Sequence, residues 1–153
     1  MIDRVFDFLR RVNAYCCDAE YQRGGFNDQH CGRVRVTPVD VNGLLWHELG
    51  HWRQQTVAVE SDLRWQRAAG ELIMSRITTP GADYDELFRF DNSLVVVSSY
   101  YCGSDCYTPQ LHFSGQCLSL RVNVVGPAKC GQLVTQYTVA ERGYGALGGG
   151  RGP

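Results

Sequence analysis

The sequence has no long hydrophobic run and no excess of charge of either sign. No stretch approaches the roughly 20 apolar residues of a membrane-spanning helix, and residues 1–11 contain no apolar core of the kind that a secretory signal carries. The formal net charge is −1, which gives no indication of a broadly basic surface for nucleic acid. We therefore expect no membrane span, no secretory signal and no binding to nucleic acid.

Cysteine is present in an odd number. A closed framework of disulfides would leave one of the seven cysteines unpaired. A reducing compartment, with some of the cysteines bound to a metal, therefore fits better than secretion, and we predict a cytoplasmic protein. The length of 153 residues and the hydrophobic fraction of 44% are ordinary for a single folded domain, which we place at residues 1–142.

Hydrophobic spacing divides the chain into a helical part and a β-rich part. Apolar residues at helical spacing predict three helices, which begin near residues 2, 38 and 60. After residue 86, segments rich in β-branched and aromatic residues predict antiparallel strands, at residues 87–90, 94–101, 118–125 and 133–139. The predicted fold class is therefore α+β, helical over residues 1–80 and β-rich over 86–140, with a flexible glycine-rich tail over 143–153.

The motif His47-Glu48-Leu49-Gly50-His51 lies inside the second predicted helix. Residues four apart share a helical face, so His47 and His51 would bind one Zn²⁺. Glu48 would then take a proton from the metal-bound water, whose pKa zinc lowers towards about 7. Gly50 destabilises a helix by about 1 kcal/mol relative to Ala, which indicates that a neighbouring backbone packs closely there.

A catalytic zinc needs a third protein ligand. No histidine follows the motif at the distance that the extended three-histidine form requires. The acids of the third predicted helix, Glu71, Glu60 and Asp62, are the candidates.

The segments around the motif resemble the zincin metallopeptidases. The resemblance rests on residues 45–52, LWHELGHW, and residues 68–74, AAGELIM. Within the zincins it is similar to the small cytoplasmic group that includes ImmA/IrrE-type peptidases and the peptidase domain of ArdC-type antirestriction proteins. Those families pair the motif helix with a glutamate on a following helix, so the resemblance implies that Glu71 is the third ligand.

The later cysteines form a second candidate metal site. Cys102, Cys106, Cys117 and Cys130, with His112 as an alternative ligand, have the donor atoms of a structural zinc site. A zinc ribbon after the motif domain would resemble SprT-like proteins. The alternatives are reduced, buried cysteines or a disulfide between Cys102 and Cys106.

These patterns together predict a zinc metallopeptidase that hydrolyses a peptide bond in a protein or peptide substrate. The alternative from another class is a non-catalytic zinc-binding interaction module, such as a viral or phage accessory protein.

Overall fold

A computed structural model of the protein describes residues 1–77 and 83–141. The helix α1 is Ile2–Leu9, and a short 3-10 turn, Arg23–Gly25, joins the first two strands. The strands in chain order are β1 Ala14–Tyr21, β2 Phe26–Asp40, β3 Gly43–Trp52, β4 Ala58–Ala68, β5 Glu71–Arg76, β6 Asp85–Phe90, β7 Val96–Ser98, β8 Tyr100–Cys102, β9 Asp105–Phe113, β10 Cys117–Val125 and β11 Gly131–Thr138. Strands therefore dominate the described chain.

The strands form one antiparallel sheet that curls into a nearly closed barrel. The order across the sheet is β7-β6-β5-β4-β3-β2-β1-β11-β10-β9-β8. β1 and β11 pair along their full lengths, from Ala14 opposite Thr138 to Tyr21 opposite Gly131, which joins the two ends of the sequence. On the far side, β7 contacts β9 and β6 contacts β8, so the two edges of the sheet lie close together.

Side chains alternate between the barrel interior and its outer surface, because successive residues of a strand point to opposite faces. In β3, the side chains of Leu44, Trp46 and Glu48 are buried inside, whereas Leu49 and His51 are exposed on the outside. The same alternation in every long strand gives the barrel an interior that is mostly apolar.

Gly50 is also on the inner face of β3. It lies opposite Gly32 of β2, and a Cβ added at Gly50 would lie 2.5 Å from the carbonyl oxygen of Cys31 and overlap the Tyr15 hydroxyl. The close packing predicted at Gly50 is therefore confirmed, although the neighbouring backbone belongs to a strand.

Helix α1 closes one end of the barrel. Its apolar face is buried, with Phe6 and Leu9 fully inaccessible. Arg67, at the end of β4, bonds Asp3 of the helix at 2.9 Å and lies over the ring of Phe6. Phe8 packs against Phe113 at the end of β9. The helix thus covers the ends of strands from both halves of the chain.

The prediction of an α+β fold with helices over residues 1–80 is wrong. The first helix ends at Leu9, and the segments predicted as the second and third helices are β2, β3, β4 and β5. In the third of these segments, Ala69 and Gly70 have φ of 52° and 76°, the left-handed conformation of a tight hairpin turn. The strands predicted after residue 86 correspond to β6, β7, β8, β10 and β11, while β9 was not predicted.

The predicted tail, residues 143–153, lies outside the described residues, and the domain boundary at residue 142 stays a prediction. Across the described segments, no helix has the length and apolar character needed to cross a membrane.

Candidate functional site

The strand geometry separates the residues of the predicted zinc motif. His47 and His51 are on the outer face of β3 and Glu48 is on the inner face. Residues four apart in a strand are about 13 Å apart, because each residue advances about 3.3 Å. The two imidazoles therefore do not meet at one ion, and the carboxyl group points away from both.

His47 instead contacts the acids of β4 on the outer surface. Its Nε2 lies 3.0 Å from Glu60 Oε2 and its Nδ1 lies 2.8 Å from Asp62 Oδ1. Glu60 and Asp62 are thus paired side chains of the outer surface. In residues 1–77 and 83–141, no group of three or more His, Cys, Asp or Glu side chains has the arrangement of a metal site, and zinc binding stays a prediction.

Glu71, the predicted third ligand, lies near the end of the barrel that α1 closes. Its carboxylate pairs with Arg89 of β6 at 2.7 Å. The residue beside Asp62, which contacts His47, is Ile77 and not Glu71. Glu71 is at the other end of β5, about 20 Å from Ile77 along the strand. The structure therefore does not bring Glu71 to the two histidines.

The four later cysteines are also dispersed. Cys117 begins β10 at the end closed by α1, and its thiol donates to Gln136 Oε1 at 2.8 Å. Cys130 follows β10, beyond the far end of that strand. Cys102 is exposed at the open end of the cavity, and Cys106 is on β9 beside Asp105, the register partner of Cys102. The second zinc site predicted at these residues is not assembled.

The disulfide of the described chain joins two other cysteines. Cys16 of β1 and Cys31 of β2 are directly opposite each other and are cross-linked. Both are on the outer face, because their neighbours Tyr15 and Cys17 point inward. The alternative of a Cys102–Cys106 disulfide is not formed, and both of these cysteines have free thiols.

The candidate site is a cavity inside the half of the barrel that α1 does not fill. Its volume is about 850 Å³. The apolar wall includes Leu63, Met74, Phe88, Leu120 and Val122. The cavity reaches the open end of the barrel, where its lining includes Ile77, Cys102 and Lys129.

Small side chains at inward-facing positions leave this space. At the closed end the interior is filled by Trp46, Trp65 and Phe90, all at most 1% exposed. In the other half, the corresponding inward positions carry Ser61 and Thr135. Eleven strands enclose more space than small side chains can fill, so the cavity follows from the sequence at these positions.

A buried carboxyl group and a phenol form the polar centre of the cavity. Tyr137 of β11 donates to Glu48 Oε2 at 2.9 Å, and both side chains line the cavity. Burial raises the pKa of Glu48 to about 7 against the opposing effects of the Tyr137 hydrogen bond and the nearby His47. Glu48 therefore exchanges its proton near neutral pH, inside an apolar chamber.

The groups around Glu48 remain neutral. Burial, followed by the charge of Glu48, raises the pKa of Tyr15 to about 12 and raises that of Tyr137 well above its usual range. Burial also raises the pKa of the Cys17 thiol, and burial lowers the pKa of His30, whose Nδ1 lies 3.0 Å from Tyr15 Oη. The carboxyl group of Glu48 is thus the group of this cluster that titrates near neutrality.

A guanidinium group lies nearer the open end. Arg76, the last residue of β5, lines the cavity. Its Nη2 donates to Tyr100 Oη at 3.4 Å, and its guanidinium carbon lies 5.5 Å from the centre of that ring. Lys129 also lines the cavity and lies over the ring of Tyr21 at 5.7 Å.

Two buried aspartates hold the loops at this end. Asp105 accepts hydrogen bonds from the backbone N–H groups of Ala128 and Lys129. Asp28 accepts from the backbone N–H of Gln54 and is 5% exposed. Both carboxylates are occupied by backbone donors, so they stabilise the loops rather than face the cavity.

Glu48 was predicted from the sequence as part of a metal site, whereas Arg76 and Tyr137 were not predicted as functional residues. Residues 44–52 carry no clear period-two alternation, because the apolar Leu45 and Leu49 face outward. Only the strand geometry places Glu48 on the same face as Leu44 and Trp46. No local signal marks Tyr137, which reaches Glu48 only through the pairing of β1 with β11 and β2.

Comparison with known proteins gives a family but no assigned activity. Residues 7–139 match the model of a family of unknown function, DUF6314, and the chain belongs to that family. No curated protein matches the sequence. A solved structure of a de novo designed fluorescence-activating β-barrel is similar, with 9% identity, a TM-score of 0.46 and coverage of 87% of this chain and 96% of that chain. The resemblance to ImmA/IrrE-type, ArdC-type and SprT-like zincins is therefore wrong.

Proposed function

We propose that this protein binds a small, mostly apolar molecule inside its barrel. The observation that carries the proposal is the cavity of about 850 Å³, within the range of small-molecule sites, roughly 300–1,000 Å³. Such sites combine an apolar lining with a few convergent polar groups. Leu63, Met74 and Phe88 provide the apolar surface here, and Glu48 and Tyr137 provide the polar centre.

The distribution of side-chain sizes supports a space kept for a ligand. Large aromatic side chains fill the closed end of the same barrel, where Trp46 and Trp65 contact each other with their ring centres 5.7 Å apart. Small residues such as Ser61 and Thr135 occupy the inner face in the other half. An apolar ligand that entered this half would gain about 25 cal/mol for each Å² of apolar surface removed from water.

The Glu48–Tyr137 pair provides orientation as well as affinity. Buried polar groups of a ligand need partners, because an unpaired polar group costs about 1–3 kcal/mol. The carboxyl group of Glu48 accepts a hydrogen bond when ionised and can also donate one when protonated. A ligand with one hydroxyl or amide group beside an apolar body therefore matches this centre.

The proposal replaces the zinc metallopeptidase and the zinc-binding interaction module predicted from the sequence, which rested on a helix that is a strand. Enzymatic activity has no part in the proposal and stays a prediction, as does a protein or peptide partner. We place the binding in the cytoplasm, as expected from the cysteine content. Reduction of the Cys16–Cys31 disulfide there would leave the cavity lining unchanged, because both cysteines face outward.

The test is a titration with N-phenyl-naphthylamine, an uncharged apolar dye whose fluorescence increases when it leaves water. We expect saturable binding to the wild type with one dye per chain. Val122→Phe, which places a larger side chain into the cavity, should weaken the binding by about tenfold or more, a loss of about 1.4 kcal/mol.

Asn123→Phe is the matched control, because Asn123 is the next residue of β10 and is exposed on the outer face. It should bind the dye as the wild type does. Circular dichroism and thermal unfolding check that both variants fold, and Ser61→Phe is a second cavity-filling variant should Val122→Phe not fold. Equal weakening by the inner and outer substitutions, or no saturable binding to the wild type, would refute the proposal.

A further inference from the structure

We infer that the ligand of the barrel is an amphipathic carboxylic acid whose carboxylate pairs with Arg76 beside Tyr100, with its apolar chain extending into the barrel. The inference rests on the proposed function, since it names the class of molecule that the same cavity takes. Its basis is the environment of one guanidinium group.

Arg76 faces the interior and has no carboxylate partner among the described residues. In β5 it lies opposite Leu63, an inward-facing residue, and it lines the cavity. Its polar side-chain contact is the 3.4 Å hydrogen bond from Nη2 to Tyr100 Oη. The Nε atom is buried and has no hydrogen-bond partner among the described residues. The donors accessible to a ligand are therefore the Nη groups, because the buried Nε is not exposed to the cavity.

Three other arginines of the described residues are paired with acids, whereas Arg76 belongs to the larger group without an ion pair. Arg10, Arg67 and Arg89 each bond a carboxylate at 2.7–2.9 Å. No ion pair of Arg76 occurs within residues 1–77 and 83–141, and the sequence of residues 78–82, TTPGA, contains no acid. The difference is one of location, because those three arginines are on the exterior or at the closed end, whereas Arg76 lines the cavity.

Three acids line the cavity, Glu48, Glu60 and Asp62, and each has a partner other than Arg76. Asp85, opposite Arg76 in register, is exposed and forms no ion pair with it. Glu60 and Asp62 both contact His47 on the outer surface, and Asp105 accepts backbone hydrogen bonds. Glu48 lies on the inner face with Tyr137 as its donor. The cations of the lining, Arg76 and Lys129, contact aromatic rings instead. Neither cation forms an ion pair within the described residues, so the carboxylate of a ligand could pair with Arg76 without displacing an acid of the protein.

A carboxylate matches Arg76 in shape as well as in charge. The planar fork of a guanidinium donates two parallel hydrogen bonds to a planar carboxylate, and the two Nη groups of Arg76 form such a pair of donors. Met74 and Phe88 lie on the same wall of the cavity as Arg76, on β5 and the paired β6. A ligand held by its carboxylate at Arg76 would place an alkyl or aromatic body against these side chains.

The experiment compares three ligands of equal chain length, decanoate, decanol and decylamine, as competitors of bound N-phenyl-naphthylamine. In the wild type, decanoate should displace the dye at a concentration about tenfold or more below that of decanol, and decylamine should be the weakest. Arg76→Met should abolish the advantage of decanoate over decanol while leaving the displacement by decanol unchanged.

Arg64→Met is the matched control. Arg64 has a buried Nε without a partner and lies over the ring of Tyr84 at 4.4 Å, but it is on the outer face of β4, where its register partner is Ser75. This variant should keep the full preference for decanoate. Arg76→Lys, which keeps the charge and loses the planar fork, should give an intermediate preference and serves as the test variant if Arg76→Met does not fold.

Equal displacement by decanoate and decanol in the wild type would overturn the inference, as would a preference for decanoate that persists in both Arg76 variants. Either result would leave the binding of the uncharged dye intact. The failure of the proposed function has a different signature, which is the absence of dye binding that responds to Val122→Phe.

Discussion

Tyr137 and Glu48 are 89 positions apart in the sequence and share a 2.9 Å hydrogen bond in the interior of the barrel. The contact exists because β11 pairs with β1, β1 with β2 and β2 with β3. Both side chains line the cavity, so the pair determines the polarity and the proton content of the proposed binding site. Its ionisation has consequences for stability that can be measured.

Glu48→Gln should make stability less dependent on pH. The pKa of Glu48 is about 7 in the folded protein and 4.5 without burial, so between these values the folded carboxyl keeps a proton that the unfolded chain has lost. The free energy of unfolding therefore falls as pH rises through this window and levels off above it. The difference between the pKa of about 7 in the folded protein and 4.5 without burial corresponds to about 3 kcal/mol of the free energy of unfolding.

Urea unfolding at a series of pH values measures this effect. The wild type should lose up to about 3 kcal/mol between about pH 4.5 and about pH 7 through Glu48, and Glu48→Gln should lack that part of the slope and be the more stable protein at higher pH. Glu20→Gln, on the outer face of β1, is the control and should retain the wild-type slope. A Glu48→Gln profile parallel to that of the wild type would contradict the assignment of a buried, proton-exchanging carboxyl group.

Tyr137→Phe should destabilise the protein most at high pH. Removal of the hydroxyl leaves the ionised carboxyl of Glu48 without its donor, and loss of a partner from a buried charged group costs about 1–3 kcal/mol. The pKa of Glu48 should rise further, because the Tyr137 hydrogen bond lowers it. Unfolding measurements on Tyr137→Phe, Glu48→Gln and the double variant give the coupling free energy, which we expect between about 0.5 and 3 kcal/mol. Strictly additive effects would show that the hydrogen bond contributes nothing.

Most strands of the second half, but not β9, could be predicted from the sequence, whereas the strands of the first half could not, for a reason that is visible in β3. Leu45 and Leu49 are four apart, as are His47 and His51, and a spacing of four returns a side chain to the same face in a helix and in a strand alike. The helical and the strand arrangements differ at residues 44, 46 and 48, because residues two apart share a face only in a strand. Asn42-Gly43 and Gly70 are turn signals that favour strands in this region, and the helix prediction did not take them into account.

The candidate site depends on information that no local pattern contains. Glu48 could be selected as a polar residue between apolar neighbours. The convergence of Arg76, Tyr100 and Tyr137 on one cavity requires the strand order and the closure of the barrel, in which Ala14 pairs with Thr138 across nearly the whole sequence. Register errors of one residue would reverse every side chain, so such a site can be recognised only when the sheet is known.

Removal of the Cys16–Cys31 disulfide should lower stability without affecting binding. The cross-link closes a loop with a sequence separation of 15, for which the entropic contribution is about 3 kcal/mol. A double Cys16→Ser/Cys31→Ser variant should unfold at lower urea concentration than the oxidised wild type and should match the reduced wild type. Its affinity for N-phenyl-naphthylamine should equal that of the wild type, because both cysteines face away from the cavity. Weaker dye binding by this variant would place the ligand on the outer surface instead.

The affinity for the uncharged dye should fall as pH rises through the pKa of Glu48, about 7. An apolar molecule in the cavity removes water from beside Glu48, and this desolvation penalises the ionised carboxylate more than the protonated acid. The bound state therefore favours the protonated carboxyl group of Glu48, and by linkage the protonated protein binds the dye more tightly.

Titrations with N-phenyl-naphthylamine from about pH 6 to about pH 8 should show this decline in the wild type. The Glu48→Gln variant should bind the dye with the same affinity at all these pH values, and the affinity of Glu20→Gln should change with pH as that of the wild type does. A pH-independent wild type would mean that the dye binds at a distance from Glu48, and a decline that persists in Glu48→Gln would assign the titration to another group.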